Sequence, residues 1–106
     1  MVPQILQNKA TAPGVGNTAS AGGKTKHMIE VAVIGSGAVS VTVEPRWSIV
    51  EPAAGAGNLI STAQIVSGTG RASQTFTAEG AAEFISCPIT ARSGTGCTCT
   101  IVYKGA

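Results

Sequence analysis

Residues 75–104 read TFTAEGAAEFISCPITARSGTGCTCTIVYK, and this stretch decides the fold class. Runs rich in Thr, Ile, Val and Phe alternate with the turn Glu79-Gly80, the breaker Pro88 and the glycine-rich Ser93-Gly94-Thr95. This order predicts short antiparallel strands joined by tight turns, with no helix between them. The period of two in the last run puts four side chains on one face of its strand: Cys97, Cys99, Ile101 and Tyr103.

The segment before this stretch has the same character. Residues 27–34 and 38–44 are predicted strands, and Gly35-Ser36-Gly37 between them is a predicted hairpin turn. A further turn is predicted at Gly68-Thr69-Gly70. Pro45 should end the strand of residues 38–44 or force a bulge in it, because proline cannot donate to a ladder. The sequence therefore predicts an all-β fold: a small antiparallel β-sandwich or jelly-roll-like domain of about seven to eight strands over residues 27–106.

Residues 1–26 have a different composition, MVPQILQNKATAPGVGNTASAGGKTK. Pro13-Gly14 and Gly22-Gly23 interrupt regular structure, and small polar residues fill the rest. This pattern predicts a flexible, extended N-terminal arm that lies outside the core. A simply disordered terminus is the alternative.

Four apolar residues are the candidates for binding a partner. Val2, Ile5 and Leu6 form a small apolar hook at the start of the arm, which would gain stability by docking on a neighbour. Trp47 is the single tryptophan. It is interpreted either as a cap on the open end of the domain or as an anchor at a subunit contact, where tryptophan is favoured.

Composition excludes several classes of function. Only 11% of the 106 residues are charged, against about 25% in typical domains, which leaves a free monomer poorly protected against self-association. The net charge of +2 comes from scattered basic residues and there are four aromatics, so no nucleic-acid surface is predicted. No apolar run approaches the roughly 18 residues of a membrane span, and no secretory signal is recognisable, which predicts synthesis in a cytoplasm.

The chain lacks the usual residues of an active site. It has no Asp, and His27 is the only histidine. A pairing of His27 with a cysteine is conceivable, but its position at the junction of arm and strand predicts an exposed, incidental side chain. We therefore expect no catalytic residues, no cofactor and no metal site, and the protein is not expected to be an enzyme.

Three cysteines leave two structural interpretations open. Cys97 and Cys99 lie two apart on one strand, at or beyond the reach of an undistorted disulfide. A bridge from Cys87 to either of them is geometrically possible. The alternative is that all three are buried thiols acting as small apolar residues.

The order of turns and strands in residues 75–105 resembles the small all-β virion proteins of tailed bacteriophages, in the group of capsid decoration, cement and head-fibre proteins. Glu79-Gly80, the run around Phe84, and Ser93-Gly94-Thr95 before an alternating strand carry the resemblance. Pro45-Arg46-Trp47 departs from it, since related sequences often have an Asp-Gly turn followed by Trp there.

The resemblance implies a structural virion protein that binds and stabilises the outer surface of a phage capsid. Its partners would be the major capsid protein and further copies of itself, as a dimer or trimer on the shell, without nucleic acid or membrane. It would be made in the cytoplasm of the host bacterium. A tail, neck or receptor-binding β-module is the alternative within the virion, and a carbohydrate-binding module is an alternative from another class.

Overall fold

The computed structural model describes residues 3–48, 58–60 and 62–106. The described residues contain eight strands and no helix. The strands are β1 (Gln4–Ala10), β2 (Ala19–Ser20), β3 (Lys26–Val43), β4 (Arg46–Ser48), β5 (Asn58–Leu59), β6 (Gln64–Glu79), β7 (Phe84–Ser86) and β8 (Ile89–Gly105). The prediction of an all-β fold is confirmed.

The strands form two antiparallel sheets of four strands each. The large sheet has the order β1-β8-β3-β6, and the small sheet has the order β2-β7-β4-β5. Pro45 and Pro88 end strands as predicted, because β3 stops at Val43 and β7 at Ser86. The turn at Glu79-Gly80 is also confirmed, since β6 ends at Glu79.

The other glycine-rich segments do not form the predicted turns. Gly35-Ser36-Gly37, Gly68-Thr69-Gly70 and Ser93-Gly94-Thr95 each lie inside one long strand, β3, β6 and β8 respectively. The predicted hairpin between residues 34 and 38 is therefore wrong, and β3 runs through it. The ladder places Ser36 opposite Thr95 and Ala38 opposite Thr69, so the three segments lie at one level across the sheet.

This glycine level bends the large sheet. The eighteen residues of β3 would span roughly 56 Å if straight, but the longest dimension of the molecule is 40 Å. The register of β3 shifts at this level against both neighbours, which is the mark of a bulge. Gly37, Gly70 and Gly94 have positive φ, a conformation that side chains other than glycine rarely adopt.

One apolar cluster forms the core and draws on both sheets. The large sheet supplies alternating residues of β3 and β8, including the predicted face of Cys97, Cys99, Ile101 and Tyr103. The small sheet and its flanks add Ala19, Ile85 and Cys87. A radius of gyration of 13.0 Å agrees with a compact chain of about this length.

The N-terminal segment differs from its prediction. Residues 1–26 were expected to stay outside the core, but β1 pairs with β8 and Leu6 is 1% exposed. The Gln4 amide donates to the Ser20 carbonyl at 2.8 Å, which ties β1 to β2. Ala19 and Ala21 are buried with Leu6. The physical reason is that the apolar side chains of Leu6, Ala19 and Ala21 gain free energy by burial, and the core of their own domain offers that burial.

Candidate functional site

We call the solvent-facing side of the large sheet the outer face. Its residues alternate with the buried ones along each strand and align across the ladder. One row runs across all four strands and joins Ile5, Val102, Glu30 and Thr75. The next rows add Met28, Ala32, Ile34, Arg71, Ser73, Thr77, Thr98, Thr100 and Lys104.

The outer face exposes large apolar side chains among short polar residues and charged ones, which include Glu30, Arg71 and Lys104. Ile5, Met28 and Ile34 are 49%, 47% and 54% exposed, and Val102 and Ala32 between them are half-buried. The remaining positions are mostly threonine and serine, which carry short uncharged side chains. Exposed apolar residues on one surface make it a candidate contact site for another macromolecule.

A shallow hollow of about 630 Å³ opens at one end of this face. Met28 lies in it, with Lys104 and Thr77 opposite on the neighbouring strands. Charges of both signs surround Met28, because Lys26 lies opposite Glu79 at the rim. The hollow therefore combines an apolar floor with a charged border. Its lining is Lys26, His27, Met28, Thr77, Ala78, Glu79, Lys104, Gly105 and Ala106.

The four predicted partner-binding residues are separated in the structure. Ile5 lies on the outer face, whereas its neighbour Leu6 is buried in the core of its own chain. Val2 lies outside the described residues. Trp47 in β4 is partly buried and packs against the core, so only Ile5 is both described and openly exposed. A binding role for all four residues stays a prediction.

His27 is buried, in contrast to the predicted exposed side chain. Its Nε2 lies 2.8 Å from the Gly80 carbonyl oxygen, and its Nδ1 lies 2.7 Å from the Tyr103 hydroxyl. Because a carbonyl only accepts, Nε2 donates to Gly80, and Nδ1 and the Tyr103 hydroxyl share the second hydrogen bond. The Trp47 ring meets the imidazole edge-on at 6.2 Å between centroids. Both ring nitrogens are thus used in holding strand ends together.

The three cysteines are free and buried, as one of the two interpretations predicted. Burial raises the pKa of the Cys87 thiol to about 12, with a smaller contribution from Cys99. Burial, and then Cys97, raises the pKa of Cys99 to about 11. Such thiols remain protonated at neutral pH and make poor nucleophiles and poor metal ligands.

Two further classes of site were tested on the described part of the chain. There, no group of three or more His, Cys, Asp or Glu side chains is placed to hold a metal ion. Within the same residues, no helix has the length and apolar character needed to cross a membrane.

These observations define a class of protein by fold: over the described residues, an all-β chain of two four-stranded antiparallel sheets that exposes apolar side chains on its outer face. No protein-family model matches the sequence, and no curated protein matches it significantly.

The outer face contains residues that the sequence analysis did not single out. Met28, Ala32 and Ile34 alternate with the buried Ile29, Val31 and Val33. The available signal was that residues 28–34, apart from Glu30, are apolar on both faces of a strand, whereas a strand with one solvated face normally alternates apolar and polar residues.

Proposed function

We propose that the protein is a non-enzymatic structural protein that binds a tailed-phage capsid from outside and stabilises it, as decoration or cement proteins do. The outer face is the observation that carries this proposal, because Ile5, Met28 and Ile34 expose apolar area that contact with a larger surface would bury. The partner is the major capsid protein. The packing of the two sheets as a sandwich belongs to the same proposal.

A repeating shell suits a surface of this kind. Each copy contributes modest apolar burial and few charges, consistent with the 11% charged composition. Repetition over a lattice multiplies the effect of weak contacts, because neighbouring copies reinforce attachment at a high local concentration. Affinity therefore does not need a deep pocket or a strongly charged site.

The N-terminal segment offers a second means of attachment. β1 is seven residues long and pairs with β8 on one side only, at the edge of the large sheet. If β1 leaves this position and takes the equivalent position on a neighbour, Leu6 enters the neighbour's core and Val2 and Ile5 accompany it. Strand exchange of this type would let the predicted arm link adjacent copies.

The first experiment measures where the protein is in purified particles. Quantitative mass spectrometry and immunogold labelling should find many copies distributed over the head. A few copies restricted to the tail or neck would instead support the tail, neck or receptor-binding alternative. Absence from particles would contradict both virion roles.

The second experiment tests the outer face directly. The variant Met28→Ser/Ile34→Ser should bind shells that lack the protein at least about ten-fold more weakly in co-sedimentation, since two buried apolar contacts would be lost. Leu59→Ser is the matched control, because Leu59 is a similarly exposed apolar residue in the small sheet. Equal binding by the outer-face variant and the control would rule out this surface.

A carbohydrate-binding module needs an exposed aromatic platform. Tyr103 is buried, and Trp47 and Phe76 pack against the core. Specific binding of the isolated protein to a glycan array would nevertheless favour that function over shell binding.

A further inference from the structure

Strand β6 forms one edge of the large sheet. It pairs with β3 along its whole length, and no strand of the described residues pairs with its other side. In an antiparallel ladder, alternate residues of an edge strand direct their N–H and C=O groups away from the sheet. β6 therefore presents backbone groups that another strand can pair with.

This edge lacks most of the usual protection. Edge strands of monomeric proteins are commonly blunted by lysine, proline or a bulge. Residues 64–78 contain no proline and one charged residue, Arg71. The bulge at the glycine level protects only the region near Gly68 and Gly70. Residues 72–78 beyond it form seven consecutive positions without a charge, a proline or a bulge.

The sequence of residues 71–79, RASQTFTAE, is complementary to its own reverse except at Gln74, which lies opposite Phe76. If two copies pair antiparallel with Thr75 opposite Thr75, then Ser73 lies opposite Thr77 and Ala72 opposite Ala78. In the same register Arg71 lies opposite Glu79 of the second copy, twice by symmetry. Thr–Ser and opposite-charge pairs across strands are stabilising.

Charge selects this register over its neighbours. Arg71, Thr75 and Glu79 are exposed and lie on the same outer face, so they can meet their counterparts directly. Moving the centre to Ser73 or Thr77 separates Arg71 from Glu79 of the second copy. Moving it to Arg71 places two arginines opposite each other, which is unfavourable.

We propose that β6 is a self-association edge: a second copy of this chain pairs with residues 71–79 antiparallel, about a two-fold axis at Thr75. The two large sheets join into one eight-stranded sheet with a continuous outer face. Each protomer uses the same patch, so the contact closes as a dimer. The proposal concerns the free protein and is independent of shell binding.

Charge reversal tests the pairing. In sedimentation velocity on the full chain, Arg71→Glu and Glu79→Arg should each weaken the dimer at least about ten-fold, because each puts like charges opposite each other. A mixture of the two single variants should form heterodimers, since both ion pairs are then restored. The double variant Arg71→Glu/Glu79→Arg should also dimerise. Arg92→Glu, an exposed reversal on β8, is the control.

Cysteine cross-linking tests the register. Directly opposite residues in an antiparallel pair have Cα atoms about 4.5–5.5 Å apart, within disulfide range. Thr75→Cys should therefore form a disulfide dimer under mild oxidation, while the three buried native thiols remain free. Ser73→Cys, on the same strand and face, should not, because its counterpart lies roughly 13 Å along the strand.

Three results would overturn the proposal. The wild-type chain could sediment as a monomer at all concentrations, or Arg71→Glu could dimerise as strongly as the wild type. Cross-linking through Ser73→Cys in preference to Thr75→Cys would refute the register centred on Thr75. None of these results depends on whether the protein binds a capsid.

Discussion

Ile5 and Leu6 show how completely adjacent residues in a strand can differ in role. Successive side chains of β1 point to opposite faces, so Ile5 lies in the outer-face row with Val102 while Leu6 enters the core. The sequence places both in one apolar hook. Pairing of β1 with β8 separates the two side chains. Ile5 is left exposed to a partner, and Leu6 stabilises the core.

This division predicts unequal effects of alanine substitution. Leu6→Ala should lower the free energy of unfolding by about 2–5 kcal/mol, because it opens a cavity in the core. Ile5→Ala should cost at most about 1 kcal/mol, the range of strand propensity at an exposed position. Urea unfolding followed by Trp47 fluorescence measures both. Similar small losses for the two variants would mean that β1 is not held in the sheet in solution.

At the scale of elements, the glycine level determines the shape of the large sheet. Neighbouring strands can bend without losing their pairing only if they bend at the same level. The aligned bulges in β3, β6 and β8 let all three strands bend together. Gly94 combines a positive φ with close backbone contacts. Its φ is +125°, and an added Cβ would lie 2.8 Å from the Ala38 carbonyl oxygen.

Gly94→Ala should therefore destabilise the protein by about 1–3 kcal/mol, through backbone strain and contact with β3. Gly14→Ala is the matched control, since a Cβ at Gly14 would meet no atom within 4 Å. Thermal unfolding by circular dichroism compares the two. A tolerated Gly94→Ala would show that β8 does not bend at this level.

At the scale of the whole molecule, buried thiols link global stability to alkaline pH. The pKa of Cys87 is raised from 9.0 to about 12 in the folded chain, so the unfolded chain loses this proton first as the pH rises. The contribution of the Cys87 thiol to the free energy of unfolding is fully present below about pH 9 and is lost progressively between about pH 9 and 12. The decrease is at most about 1.4 kcal/mol per pH unit for one thiol.

The Cys87→Ala variant should show a shallower alkaline loss than the wild type, although its stability at pH 7.5 is lower because of the cavity. Urea midpoints of the variant and the wild type are measured under reducing conditions at pH 7.5 and at about pH 10.5. The difference between the two pH values gives the alkaline loss of stability for each protein. A residual decrease is expected, because burial also raises the pKa of Cys99 and Tyr103. Identical slopes in both proteins would mean that the Cys87 thiol is not buried in solution.

The candidate surface was only partly predictable. Ile5 was recognised from its apolar context, and Trp47 from its uniqueness, but the structure packs Trp47 against His27 and the core. The apolar character of both faces of residues 28–34 was a local signal for Met28 and Ile34, but only the ladder places them on the outer face beside Ile5 and Val102. Which residues of different strands share a surface has no local signature in the sequence.

The sequence alone determined the all-β class, the ends of strands at Pro45 and Pro88, and the shared face of Cys97, Cys99, Ile101 and Tyr103. These features follow from local chemistry, namely the period of two and the missing donor of proline. Only the tertiary structure decided whether a glycine segment turns the chain back or bends a longer strand. A Gly-Ser-Gly segment is compatible with both, and pairing with strands distant in sequence makes the choice. The same long-range pairing placed Leu6 and His27 in the interior.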